Sequence, residues 1–160
     1  MKPSHYSALF ACALAGLASS LAAADAPAAP PAPKDPPTEV LQFPAARLES
    51  VFKSGVGGYL NSNKLYKVIA SRRVAPGFVE IHVRDTDVFY IVDGGATFVT
   101  GGTAIDPKPA GPNEIHAASI VGGTEHHLAK GDVIIIPHGI PHQFTAIDGQ
   151  FFYFVVKVTE

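Results

Sequence analysis

From Gly58 to the C-terminus no stretch of the chain keeps helical spacing. Short runs rich in Val, Ile, Phe and Tyr alternate with Gly, Pro, Asp and Asn. Such punctuation suits strands joined by turns and predicts an all-β sandwich or barrel of antiparallel strands. Strands are expected near Leu65–Val74, Phe78–Arg84, Val88–Val92, Thr97–Thr100, Ile115–Val121, His126–Ala129, Val133–Ile136, Gln143–Ala146 and Phe151–Val158. The segment Gly101–Asn113 carries Pro107, Pro109 and Pro112 and reads as a long loop. Before the strands one short helix is expected over Pro44–Lys53. Pro44 suits its first position, Leu48, Val51 and Phe52 share one face, and Ser54-Gly55 stop it.

The N-terminal third has another character. After Met1 and Lys2, Ala8–Ala18 is apolar and too short for a stable membrane span, and Ala22-Ala23-Ala24 has the small-residue form of a signal-peptidase site. Residues 1–24 are therefore expected to be a removed signal peptide, which implies a periplasmic or secreted protein. Residues 25–37 hold six prolines and read as an extended Pro/Ala-rich linker, leaving 38–160 as the folded domain. Cleavage would remove the only cysteine and leave 11 basic against 14 acidic residues, a net charge of −3. The mature form then has no disulfide, thiolate metal site or thiol nucleophile. With no basic excess, a nucleic-acid partner is excluded as an expectation, and no stable membrane span remains.

Chemistry concentrates in Gly131-Asp132-Val133-Ile134-Ile135-Ile136-Pro137-His138-Gly139-Ile140-Pro141-His142. Gly131-Asp132 turns the chain into a strand, and four branched residues in a row predict that this strand, Ile135 included, is buried. Pro137 ends its ladder, and Gly139 with Pro141 makes a stiff corner that fixes the direction of His142. An imidazole held so firmly suits a metal ligand or a base.

This stretch resembles the second motif of the cupin superfamily in the spacing of Gly131, Pro137, Gly139 and His142. Asp87-Val88-Phe89-Tyr90-Ile91-Val92-Asp93-Gly94 resembles the end of the first motif. The resemblance, to a small single-domain, cupin_2-like protein, covers roughly residues 65–158. It implies a double-stranded β-helix, the cupin jelly-roll barrel. Where metal cupins offer His-x-His and then Glu, the matching places hold Glu80, His82 and Asp87. The resemblance thus implies a divalent metal (Fe, Mn, Ni or Zn) on Glu80, His82 and His142, with Asp87 as fourth ligand or general base. Two histidines and one carboxylate still form a facial triad. Asp87 is shorter than the usual Glu by about 1.5 Å of reach, which favours Glu80 as the carboxylate.

Alternation on Phe78–Arg84 sets Val79, Ile81 and Val83 against Glu80 and His82, and only one set can face inward. The cupin reading turns Glu80 and His82 inward, so that the outer Val79, Ile81 and Val83 need a cover such as an N-terminal strand or a second subunit. A homodimer is the expectation. Tyr90, Phe144 and His127 are pocket candidates, with His127 a possible replacement ligand. Tyr59, Tyr66 and Phe98 fit a pocket or the core equally well. His116 and His138 read as solvent-facing. Two functions remain open: a metal-dependent enzyme of dioxygenase, isomerase or lyase type acting on a small oxygen-rich molecule, and a metal-free module that binds a sugar or organic acid.

Overall fold

The computed structural model describes residues 34–55 and 57–160. The expected signal peptide and the linker as far as residue 33 lie outside the described residues. Helix α1 (Ala45–Lys53) begins one residue after Pro44, which caps it from outside. It buries Val51 and sets Phe52 against Phe152, with ring centroids 5.2 Å apart. Ser54 closes it through a backbone bond to Ser50 O and a hydroxyl bond to Val51 O.

Eleven strands follow: β1 (Gly58–Ser62), β2 (Tyr66–Arg73), β3 (Val79–His82), β4 (Asp85–Thr100), β5 (Thr103–Ile105), β6 (Lys108–Gly111), β7 (Glu114–Ala117), β8 (Ser119–Val121), β9 (Thr124–Ala129), β10 (Val133–Ile136) and β11 (His142–Thr159). The barrel is organised by β4 and β11, which pair antiparallel along nearly their whole lengths. Their outer ends, Asp85–Asp93 and Phe152–Thr159, lie in a layer with β10 on one side and β2 and β1 on the other. Their inner ends, Gly95–Thr100 and His142–Asp148, lie in a second layer with β9, β3, β7 and β6. Two strands shared between two layers make the predicted β jelly-roll.

The sharing requires a bend, and glycine supplies it. Gly94 has φ +85°, and a Cβ there would overlap the carbonyl oxygen of Gln150. Both long strands were expected as two shorter ones, because the interruptions at Gly94-Gly95 and Asp148-Gly149 read as turns. They are corners within continuous strands.

Inward alternation fills the space between the layers with Phe89, Ile91, Ala96, Phe98, Leu128, Ile136, Phe144, Phe151, Tyr153 and Val155. Phe98 and Phe144 lie 4.5 Å apart by centroid, and Phe144 and Tyr153 5.4 Å. Each fully buried aromatic contributes on the order of 1.5–3 kcal/mol, which makes this cluster the main source of stability.

Two expectations need correction. The segment 101–113 is not a structureless loop: it forms β5 and β6, which pair with β8 and β7. Its prolines are tolerated because the strands are short and β6 is an edge. Nor is β10 buried on both faces. Ile136 is 2% exposed, but Val133 and Ile135 are 60% and 61% exposed on the outer surface. The run Val-Ile-Ile-Ile alternates like any half-covered strand.

Candidate metal centre

Three cross-strand pairs build the site, so strand register brings its groups together. Glu80 of β3 stands opposite His142 of β11, His82 of β3 opposite Glu114 of β7, and Asp87 of β4 opposite Lys157 of β11. The corner before β11 fixes the approach. Gly139, at φ +78°, donates its N–H to the His82 carbonyl at 2.7 Å, and Gly101 donates to Pro141 O at 2.8 Å. The turn that aims His142 is thus bonded to the strand that carries His82.

Glu80, His82 and His142 each direct one donor atom to a common region, with those atoms within 4.8 Å of one another. Glu80 Oε2 lies 3.8 Å from His142 Nε2 and 3.9 Å from His82 Nε2. Both imidazoles are buried, and Glu80 is partly open to solvent. Glu80 and His82 therefore face inward, and Val79 on the opposite face is fully buried. Ile81 is half-buried, and Val83, at the strand's outer end, is exposed.

Each histidine is oriented through its other nitrogen. His142 Nδ1–H donates to Ile140 O at 3.0 Å, and His82 Nδ1–H donates to Glu114 Oε2 at 2.7 Å. The Ile140 bond fixes the His142 tautomer that leaves its Nε2 with a free lone pair. For His142, burial pushes the pKa below the ordinary imidazole value despite the Ile140 carbonyl and Glu80, so the ring is neutral. Its Nε2 is buried without a hydrogen-bond partner. A neutral imidazole aimed with a carboxylate and a second imidazole at one place fits a divalent cation.

Asp87 is placed differently from the fourth-ligand expectation. Lys157 Nζ donates to both of its oxygens, at 2.9 and 2.7 Å, and also lies 2.6 Å from His82 Nε2. Burial would raise the Asp87 pKa, but the His82 bond and the Lys157 charge outweigh it and hold the carboxyl below its usual range. A carboxylate so stabilised is a weak proton acceptor, which counts against a general-base role. For His82, burial disfavours the charged ring, yet hydrogen bonds to Asp87 and Glu114 prevail and raise its pKa to about 9. The ring therefore carries a proton on each nitrogen near neutral pH, its Nε2–H facing Asp87 Oδ2 at 3.2 Å, and Lys157 Nζ stands beside that nitrogen at 2.6 Å.

The pocket candidates lie elsewhere. Tyr90 alternates to the outer face opposite Val133, because its neighbour Phe89 takes the core position. His127 points outward, its side chain 81% exposed beside Glu125, since Leu128 next to it points in. Phe144 is core, and its neighbour Phe98 reaches the His142 ring at 5.8 Å to form the floor of the site. Phe98 is fully buried. His116 is stacked on exposed Phe78, and His138 lies beside Glu160. A surface groove of about 500 Å³ lies between α1 and the outer sheet, lined by Phe52, Arg72 and Phe152. It holds none of the ligating groups.

Sequence reasoning missed Glu114 and Lys157. Lys157 was detectable as the single charge on the inward face of Phe151–Val158. Glu114 had no local signal, since its partner is 32 residues away.

Among solved structures, the chain resembles a double-stranded β-helix protein from Klebsiella pneumoniae, with a TM-score of 0.52 and 14% identity over 76% of this chain and 91% of that one. It also resembles an RmlC-like cupin from Methanocaldococcus jannaschii, with a TM-score of 0.46 and 13% identity over 65% and 79%. The DMSP lyase DddQ from Ruegeria pomeroyi matches with a TM-score of 0.44 and 17% identity over 61% of this chain, which spans 40% of that protein. No curated protein matches the chain in sequence. The family model described as Cupin matches residues 60–160, the region that holds all six groups of the site, and the chain belongs to that family.

Proposed function

We propose that this chain is an exported, single-domain cupin enzyme that holds a divalent metal on Glu80, His82 and His142 and acts on a small oxygen-rich molecule. The observation that carries the proposal is the buried, partnerless Nε2 of His142, aimed where Glu80 and His82 place their donor atoms. A bound divalent ion there would supply Lewis acidity toward a substrate oxygen, in oxidoreductase, isomerase or lyase chemistry. Glu80, the most open of the three, sits on the side from which substrate arrives. Arg73 faces inward with its guanidinium 4.8 Å from the Phe144 ring centroid and makes no ion pair among the described residues. It is the cation placed to receive an acidic or oxygen-rich group. The aromatic floor excludes water from below.

Export is supported by the apolar N-terminal run and its Ala22-Ala23-Ala24 site, and the exported protein is expected to begin at Asp25. A homodimer is supported by an apolar outer patch at the open edge of one layer. Tyr90, Val133, Ile135 and Val158 are exposed there beside half-buried Val88, Phe154 and Val156.

The test is metal content after chelation and reloading with Mn, Fe, Ni or Zn. Wild-type protein is expected to regain close to one equivalent, and His142→Ala to lose it while staying folded. Less than about a tenth of an equivalent in folded wild type refutes the metal reading. One observation favours a second reading, a metal-free module for a sugar or organic acid: Lys157 already places a cation on His82 and Asp87.

A further inference from the structure

Lys157 lies where no metal-binding scheme uses it, and its contacts define what it does. Its ammonium touches His82 Nε2 at 2.6 Å, the atom that His82 directs into the triad, and both oxygens of Asp87. The Lys157 side chain is 16% exposed and Asp87's is 2%, so the pair is buried. On the same inner face, Lys67 stands opposite Lys157 across β2 and β11 and is matched to its own carboxylate, Asp85. Lys157 is therefore the one lysine on the Asp87 carboxylate, which it shares with His82.

An ammonium 2.6 Å from His82 Nε2 and a metal ion bound to that nitrogen cannot occupy the same space. A divalent ion at that nitrogen would also stand within a few ångströms of a positive charge in a poorly screened interior. When Lys157 swings away, two donors are released together. His82 Nε2 is uncovered, and Asp87, whose Oδ2 is 3.2 Å from that nitrogen, is freed beside it.

The geometry points to Lys157 as a tethered cation that competes with the divalent metal for His82 and Asp87. The site thus alternates between a lysine-closed form and a metal-loaded form in which Asp87 becomes the fourth ligand. This inference rests on the metal reading above and goes beyond it, by naming the group that sets affinity and the switch that loading requires. If the lysine-closed form accounts for about nine-tenths or more of the metal-free protein, apparent affinity is lowered about tenfold or more.

The test is calorimetric titration of Mn²⁺ and Zn²⁺ into metal-stripped wild type, Lys157→Met and the double variant Asp87→Asn/Lys157→Met. The double variant removes the buried pair together and guards against misfolding from an unpaired Asp87. Circular dichroism verifies the fold of each. Both variants are expected to bind one equivalent about tenfold or more tighter than wild type. The single variant should bind the tighter of the two, because it keeps Asp87. Wild type that binds while the folded variants bind equally or more weakly overturns the competition and leaves the metal reading standing. No binding by any of the three overturns the metal reading and the competition with it. A readout that needs no substitution is acetylation of Lys157 by acetic anhydride in wild type. Saturating Zn²⁺ should expose the amine and raise its modification about tenfold; unchanged modification of a Zn²⁺-loaded protein refutes displacement.

Discussion

Ile135 and Ile136 are adjacent, chemically identical and turned to opposite faces of β10, so replacing each by Ala separates burial from every other property of the strand. Ile136 is 2% exposed and packs in the central cluster. Truncation to Ala deletes three carbons, about 2.4 kcal/mol at about 0.8 kcal/mol each, and the cavity left in a tight aromatic core adds roughly another 1 kcal/mol. Ile136→Ala should therefore cost about 3–4 kcal/mol. Ile135 is 61% exposed, so only about two-fifths of the same transfer term applies, and its loss should be about 1 kcal/mol or less. Urea unfolding followed by circular dichroism at low micromolar protein measures both. Equal losses would refute the orientation of β10. Repetition at a hundredfold higher protein concentration reports on the outer patch. If a second subunit covers it, wild-type stability rises with concentration and the Ile135→Ala deficit grows, whereas the Ile136→Ala deficit stays nearly constant. Concentration-independent values together with a monomeric mass by light scattering would remove the homodimer.

Glu114→Gln should leave the fold intact but weaken metal binding about 10- to 100-fold, because a neutral acceptor holds the His82 Nδ1–H less firmly; unchanged affinity by titration refutes that role. The Asp85 carboxyl is held below its ordinary value of 3.8: burial pushes it up, but bonds from Lys67 and Thr159 outweigh it. A depressed native pKa stabilises the fold above the unfolded value and loses that contribution as pH falls through the native value. Lys67→Met should therefore move acid unfolding, followed by circular dichroism, to higher pH, and an unmoved midpoint contradicts the assignment. Gly94→Ala should be far more destabilising than Gly139→Ala in thermal unfolding. Both have positive φ, but a Cβ at 94 overlaps Gln150 O, whereas at 139 it meets open space and carries backbone strain of roughly 1–2 kcal/mol alone. Equal losses would sink the close-corner account of the β4 bend.

The parts of the molecule that could be read from sequence are those where one residue's constraint is local. Gly131 and Gly139 adopt φ of +93° and +78°, values that ordinary side chains avoid, and Pro137 ends the ladder, so the corner that aims His142 is written in consecutive letters. The inward turn of Glu80 and His82 was not local. Alternation on β3 allowed either face, and only the place of His142 in a distant segment decided between them. The rule failed at β10 because an unbroken apolar run is the same string whether both faces are covered or one is left open for a partner. It failed again at Gly94 and Gly149, where a glycine within a strand looks like the end of one.

Lys157 shows why the remainder of the site was harder to see. A charge near the end of an apolar strand is ordinarily the point where the strand reaches water, and that interpretation is sound for Lys157 taken alone. Its alternation with Phe151, Tyr153 and Val155 nevertheless points it inward, and an inward lysine requires a carboxylate across the barrel. Asp87, on the strand that pairs with β11, is the one acid in inward register with it. The same pairing explains why an Asp stands where a metal-binding Glu would be expected. The shorter side chain keeps its carboxylate on Lys157, whose ammonium also stands 2.6 Å from His82 Nε2.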